Sequence, residues 1–276
     1  MCGGDALFMS SRNPRRQHQR NPRREAGRRQ NPTEGGGPPA APTILFEDAE
    51  LVVAAKPAGL ATANVPRGQE SLLTWLRDTL RGRGRSDVDA SDGGFLGVVS
   101  RLDQPVSGVV VVTRTRQAAA SLSAQFRDRT VSKTYHALVE GRFPGSAGAT
   151  LTWTDLLERP AEGGSGGRES TSSPQEAVVD VSLISRGVEV SLVKLRPKTG
   201  RRHQLRVQLG SRNCPIVGDR LYGSRLPFPC GIALHSSELR FDHPATGQPL
   251  MFWAPWPACW RQAARGLTLP PQGPSS

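Results

Sequence analysis

The sequence predicts an α+β domain. Short β-rich runs and helical stripes intermix along the chain, without the regular strand–helix–strand alternation of a parallel α/β fold. The 276 residues are only 36% hydrophobic and include 30 Gly and 23 Pro, so part of the chain should lie outside the core. That part is visible at the N-terminus, where residues 1–40 hold eight Arg against three acids (Asp5, Glu25, Glu34) and few apolar side chains.

Residues 1–42 are therefore expected to form a disordered Arg/Pro-rich tail. A unit Arg12-Asn13-Pro14-Arg15-Arg16 recurs at Arg20 to Arg24 and, degenerately, at Arg29 to Pro32. Repeated Pro blocks helix, and nothing apolar is available to bury. Such a tail can serve as a non-specific RNA-binding arm through counterion release, as an organelle transit peptide, or as a solvated leader. The folded domain is expected over residues 43–262. Ile44 to Phe46 and Leu51 to Ala55 read as strands around an acidic turn, closed by Lys56-Pro57-Ala58-Gly59. Ser71 can cap a helix whose Leu72, Leu76 and Leu80 recur at i, i+4, i+8. Arg81 to Gly94 is a Gly/Asp/Ser loop. Phe95 to Val99 and Val109 to Thr113 are β-rich runs around the polar insert Ser100 to Gly108. A helix with Ala118, Leu122 and Phe126 on one stripe follows. Val131 to Val139 then alternates as a strand with Lys133, Tyr135 and Ala137 on one face. Residues 160–174 form a flexible Gly/Ser insertion, and two strands flank the turn at Arg186-Gly187. Arg201 to Leu209 reads as a helix with Arg202 and Arg206 one turn apart. Ala233 to Phe241 is the last strand, before a Pro- and Trp-rich end whose residues 263–276 are expected to be disordered.

Charge narrows the partner. The net +12 comes from 36 basic and 24 acidic residues, and only Lys56, Lys133, Lys194 and Lys198 of the basic set are lysines. Arg presents a planar, permanently charged fork that suits phosphate, which points to a polyanion. A GC-rich coding sequence, which inflates Arg, Gly and Pro together, is the competing explanation. No apolar run approaches the ~18 residues of a membrane span. Cys2, Cys214, Cys230 and Cys259 lack CxxC spacing, which argues against a zinc site or a disulfide framework and for an intracellular, reducing compartment.

The polar insert is the informative place. Arg101-Leu102-Asp103 sits between apolar runs, and a carboxylate at the end of a buried strand is costly unless paired or exposed in a cleft. A lone Asp there is more often a turn or cap residue than a catalyst. Its company along the chain changes that reading. The stretch GFLGVVSRLDQPVSGVVVVTRT resembles the catalytic segment of the RluA-type RNA pseudouridine synthases. The resemblance continues in QFRDRTVSKTYHALVEG, RPKTGRRHQLRVQLG, PIVGDRLYG and ALHSSELRFDHPATGQPLMFWAPWP, with ILFEDAELVVAAKPAGL upstream. These blocks run in order over about residues 43 to 260. The resemblance implies an α+β fold with a mixed, largely antiparallel, bent sheet, flanking helices and a central catalytic cleft. The separate N-terminal RNA-binding domain of some relatives is not expected here, where the Arg-rich tail stands in its place.

By resemblance, Asp103 is the catalytic aspartate and Arg101 the arginine that fills the gap left by the flipped uridine. Tyr135 is the tyrosine that packs against uracil and is implicated in proton removal, and Arg206 ion-pairs the aspartate. Lys133, Arg201, Arg202, His203 and Gln204 lie in the same blocks and complete the RNA- and substrate-binding set, His203 and Gln204 as scaffolding. The implied activity is isomerisation of uridines in transfer or ribosomal RNA by a monomer, without metal or redox cofactor. The alternative is a weak or inactive relative that retains the cleft and acts as an RNA-binding or assembly protein. A hydrolase with paired acids is disfavoured, because no second carboxylate occupies the matching blocks. The residue types suit the chemistry: the carboxylate must be ionised to act as nucleophile or as base at the sugar, and a guanidinium nearby favours that form. Stacking on an aromatic can return ~1–3 kcal/mol toward the cost of base flipping. Two positions depart from the family pattern: Ser100 stands where most members have His, and Val106 where many have Thr.

Overall fold

The computed structural model describes residues 40–82, 94–158, 173–264, 266–271 and 273. The expected N-terminal tail to residue 39, most of the loop before Gly94 and most of the Gly/Ser insertion lie outside the described residues.

Ten described strands form one mixed sheet, and its architecture is α+β as expected. Strands β1 (Thr43–Glu47), β2 (Leu51–Lys56) and β4 (Ser107–Thr113) make one half, with β3 (Gly97–Val98) on β4. Strands β5 (Ser132–Glu140), β6 (Thr150–Leu157), β7 (Gln175–Arg186), β8 (Val190–Pro197) and β9 (Leu234–Asp242) make the other, in the order β9-β5-β8-β7-β6, with β10 (Pro249–Trp253) on β9. Neighbours pair antiparallel except β4 and β9, which run parallel and join the halves through only Ser107↔His235 and Gly108↔Ser236. Gly108 makes this approach possible. It has φ 130°, and a Cβ there would lie 2.2 Å from the Ser236 carbonyl oxygen.

The apolar runs of β2 and β4 do not alternate because both of their faces are covered. Helix α1 (Leu72–Gly82) packs Leu72, Leu76 and Leu80 against Val52, Ala54, Val110 and Val112. Helix α2 (Arg116–Arg127) sets Leu122 and Phe126 against Val53, Val109 and Val111 on the opposite face. Both helices start on side-chain caps. Ser71 Oγ accepts from Thr74 N (3.2 Å) while Thr74 Oγ1 accepts from Ser71 N (2.8 Å), and Thr115 accepts from Ala118 N at 3.1 Å. The second half buries its own core of Val139, Val181, Leu192, Leu195 and Trp260 beneath helices α3 (Gln204–Gly210) and α4 (Ala258–Ala263).

Several expectations are corrected. The strand expected at Phe95 to Val99 is reduced to Gly97–Val98. Edge strand β6, strand β10 and α4 were not expected. In β6 only Trp153 is buried and four exposed polar or apolar side chains alternate with partly buried ones, so its apolar signal is weak. Helix α3 starts at Gln204 rather than Arg201, because His203 adopts a left-handed backbone (φ 55°) that ends the preceding turn. The C-terminal stretch expected to be disordered is packed where it is described: Leu267 and Leu269 lie against the second core, and Trp256 Nε1 donates to the Pro270 carbonyl at 3.3 Å. The expectation of no disulfide also fails. Cys230, in the segment before β9, and Cys259, on α4, form one, because the fold brings together residues 29 apart in sequence. Cysteine spacing therefore no longer supports a reducing compartment. Cys214 is a buried free thiol. No helix among the described residues is long and apolar enough to cross a membrane.

Candidate active site

The site lies where the two halves of the sheet meet. Asp103 sits in the turn that leads into β4, and Tyr135 of β5 pairs with Ser236 of β9, the same residue that meets Gly108. The turn is held through its main chain on two sides. Gly59 N donates to Gln104 O (2.8 Å) and Gln104 Nε2 returns a bond to Gly59 O (3.0 Å). Thr62 Oγ1 donates to Leu102 O at 2.9 Å, and Ile232 N donates to Pro105 O at 3.2 Å. At Gly231 a Cβ would lie 2.5 Å from Pro105 O, so only Gly lets this segment close on the turn.

Lys56 closes the same junction from beneath. It is 1% exposed, and its Nζ donates to the carbonyls of Pro57 (2.9 Å), Leu60 (2.6 Å) and Gln104 (3.3 Å). Burial pushes its pKa down to about 7, against the opposing pull of the Asp103 charge.

The opposite bank supplies donors. Arg206 Nη1 approaches Asp103 Oδ2 at 3.3 Å, and His203 Nε2 lies 3.6 Å from the same oxygen. Asp103 Oδ1 has no partner among the described residues. Arg206 is 6% exposed and is fixed by Asp219, which is 2% exposed: Nε donates to Oδ2 at 2.6 Å and Nη2 to Oδ1 at 2.8 Å. Burial alone would lower the Arg206 pKa, but the bonds and charge of Asp219, with the charge of Asp103, hold it above its ordinary value. Tyr135 is packed between the banks. Burial pushes its phenol up to about 12, opposed by the hydrogen bond to Ser236 and reinforced by Asp103, so it is a neutral phenol at neutral pH.

The remaining expected site residues divide. Arg101 and Arg202 are exposed and make no hydrogen bond or ion pair among the described residues. Lys133 lies on the Tyr135 face of β5, partly buried near Gly200, also without a partner among the described residues, and burial lowers its pKa. Arg201 donates its Nε to Glu176 O (3.0 Å). Gln204 does not face the cleft. It is 4% exposed, its Oε1 accepts from Thr199 Oγ1 (2.7 Å) and Arg201 N (3.1 Å), and its Nε2 donates to Val178 O (3.1 Å). It pins the start of α3 to β7, which fits scaffolding and not RNA contact. Lys56, Asp219 and Tyr222 had no expected role, although KPAG and GDRLYG were both visible as blocks. A buried Lys after a strand and a buried Asp 13 residues after an Arg were the available signals. Among the described residues no group of three or more His, Cys, Asp or Glu side chains is placed to hold a metal ion.

Residues 50–211, which contain Asp103, Tyr135 and Arg206, match the RNA pseudouridylate synthase family. The chain belongs to that family. It is 30% identical over 237 residues to the tRNA pseudouridine synthase C of Yersinia pestis, covering 79% of this chain and 88% of that protein. It is 32% identical over 232 residues to the uncharacterized RNA pseudouridine synthase YhcT of Bacillus subtilis, covering 80% and 71%. Against the tRNA pseudouridine synthase C of Pectobacterium carotovorum the match is 30%, and the chain spans 60% of that longer protein. The solved structure of human RNA pseudouridylate synthase domain containing 4 superposes with a TM-score of 0.65 at 25% identity, covering 83% of this chain and 94% of that one. The fold of the chain is that of its solved relatives.

Proposed function

We propose that the chain converts uridines in transfer or ribosomal RNA to pseudouridine, with Asp103 as the reacting carboxylate. One observation carries this reading: Arg206 Nη1 donates to Oδ2 of Asp103 at 3.3 Å with His203 Nε2 3.6 Å from the same oxygen, while Oδ1 has no partner among the described residues. The carboxylate is thus oriented with one oxygen available.

The reaction is an isomerisation. The N1–C1′ bond of a flipped uridine breaks, the uracil turns, and a C5–C1′ bond forms. The C5 proton is lost and N1 gains one, so atoms and electrons balance without redox change. Asp103 Oδ1 acts at the sugar, as nucleophile on C1′ or as base. Tyr135 offers the uracil a packed aromatic surface. As a neutral phenol bonded to Ser236 it can take the C5 proton only while passing on its own, which makes it a relay and not a standing base. Arg101, exposed two residues before Asp103, is suited to enter the space the base leaves. Arg202 and the unpaired ammonium of Lys133 are suited to phosphate. The choice between tRNA and rRNA rests on relatives named for each.

The Asp103→Asn protein should lose pseudouridine formation by at least ~10³-fold while binding RNA nearly as well as wild type, since an amide is a poor nucleophile and a poor base. Mapping pseudouridine in tRNA and large-subunit rRNA treated with wild type and variant checks this. Comparable turnover by the Asn variant would remove Asp103 from the mechanism.

A further inference from the structure

Helix α3 is preceded by a strained residue. His203 has φ 55° and ψ 19°, and it makes no side-chain cap to the helix. A non-glycine residue in the left-handed region persists where its surroundings over-determine it. What holds this one is Tyr222, at the end of the 3₁₀ turn Arg220–Tyr222: the Tyr222 hydroxyl and His203 Nδ1 are 2.8 Å apart.

The direction of that bond follows from the other nitrogen. His203 Nε2 lies 3.6 Å from Asp103 Oδ2, whose negative charge favours the tautomer with its proton on Nε2, and in that tautomer Tyr222 donates to Nδ1. The charged and titratable groups around the ring are Asp103, Arg206, Arg202, Asp219 and Tyr222. Burial and the two arginines keep the imidazole neutral against the pull of Asp103. Burial likewise keeps the Tyr222 proton in place.

Tyr222 also touches the second donor. Its ring centre lies 5.0 Å from Arg206 Cζ. Asp219 occupies Nε and Nη2 of that guanidinium, and Nη1 is left for Asp103. Helix α3 is seated closely on this turn: a Cβ at Gly210 would lie 2.8 Å from Tyr222 O.

We propose that Tyr222 is a positioning residue of the isomerisation, whose hydroxyl on His203 and ring beside Arg206 aim both donors at one oxygen of Asp103 and leave the other for the sugar. This rests on the reading of Asp103 as the reacting carboxylate.

The test uses the full chain and one in vitro transcript, of tRNA or large-subunit rRNA, on which wild type forms pseudouridine. Single-turnover rates at saturating enzyme, and RNA affinities, are measured for Tyr222→Phe, His203→Asn, the double variant and Tyr222→Leu. Asn tolerates the left-handed backbone, and Phe keeps the ring beside Arg206, so the backbone at 203 and the ring contact with Arg206 are both retained. Tyr222→Phe and His203→Asn should each slow the rate by about tenfold, and Tyr222→Leu by about a hundredfold, as expected for a misaimed reacting group. RNA affinity should stay within about twofold of wild type, because neither group needs to meet phosphate. The double variant should be no slower than either single, since both break one connection. A Tyr222→Phe rate equal to wild type, fully multiplicative losses, or a loss confined to RNA affinity would each overturn the proposal. The Asp103→Asn protein, assayed alongside, separates the two inferences: turnover by it would sink the reading of Asp103, whereas an inactive Asn variant beside an unimpaired Tyr222→Phe sinks only the role of Tyr222.

Discussion

The two banks of the cleft are built by different means. The bank that carries Asp103 is fixed through main-chain atoms, to Gly59, Thr62 and Ile232, with Lys56 ligating carbonyls from below. The bank that carries Arg206 and His203 is fixed through side chains, by Asp219 and Tyr222. The difference follows from what each must deliver. A reacting carboxylate has to be placed while its oxygens stay uncommitted, so its backbone is held. A donor has to be aimed, and a guanidinium with five N–H groups can be gripped by some of them while offering another.

The largest effect short of removing Asp103 is expected where the main-chain bank depends on one side chain. Lys56→Met leaves carbonyls at Pro57 and Leu60 without their Lys56 donor, whereas Gln104 O keeps Gly59 N. Each buried unsatisfied carbonyl costs ~1–3 kcal/mol, partly offset because no charge is buried any longer, so a net loss on the order of 2 kcal/mol is expected. Turnover should fall by about ten- to a hundredfold through displacement of the Asp103 turn. The loss should also depend on pH in a defined direction. The folded pKa of Lys56 is about 7, below the unfolded 10.5, so between these values the unfolded chain binds the extra proton. Wild-type stability at this site therefore rises as pH rises from about 7 toward 10.5, and the Met variant lacks that rise. Urea unfolding of both proteins at pH 6.5 and 9 checks it: a stability gap that does not widen at the higher pH would show that Lys56 is not depressed.

On the opposite bank a charge should matter for RNA binding alone. Lys133 has no protein partner among the described residues and shares a face with Tyr135. Lys133→Met should weaken affinity similarly across RNA sequences and reduce the slope of log affinity against log salt by about one. Turnover at saturating RNA should stay within about twofold, as expected for a contact that positions without reacting. An unchanged salt slope would mean that the ammonium meets no phosphate.

The two banks also differ in how far they could be read from sequence. Leu72, Leu76 and Leu80 announced α1 by spacing, and the unbroken Val109–Val112 run announced a strand, because local periodicity reports local burial. Asp103, Tyr135 and Arg206 were legible through their blocks, and the fold brings them together at the β4–β9 join. Asp219, Tyr222 and the Cys230–Cys259 pair were not. Each owes its role to a contact between segments, and no periodicity records that Tyr222 lies against His203, 19 residues earlier. Edge strand β6 was missed because Asp155 lies on its partly buried face and Leu156 on its exposed one, which breaks the alternation on which a strand reading depends. Gln204, expected as scaffolding within the RNA-binding blocks, is held by Thr199 and Val178 at its amide, contacts between segments that the sequence alone does not record.

The smallest effect is expected at Ser100, where most of the family has His. From sequence alone, a smaller side chain directly before Arg101-Leu102-Asp103 suggests a looser turn. The structure distributes the support elsewhere. Ser100 is partly buried and takes part in none of the bonds that hold the turn, which run from Gly59, Lys56, Thr62, Gln104 and Ile232. A His at this position would add ring volume and one N–H donor beside a turn that is already fixed at Leu102, Gln104 and Pro105. Ser100→His should therefore keep or modestly raise single-turnover activity, by no more than about threefold, because little misplacement is left to correct. RNA affinity should not move. Rates for both proteins at matched salt and saturating RNA decide the point. A marked loss in the His variant would show that the space beside the turn is closed around Ser100, so that the main-chain bank is as intolerant of a changed side chain as the bank of Arg206 and His203.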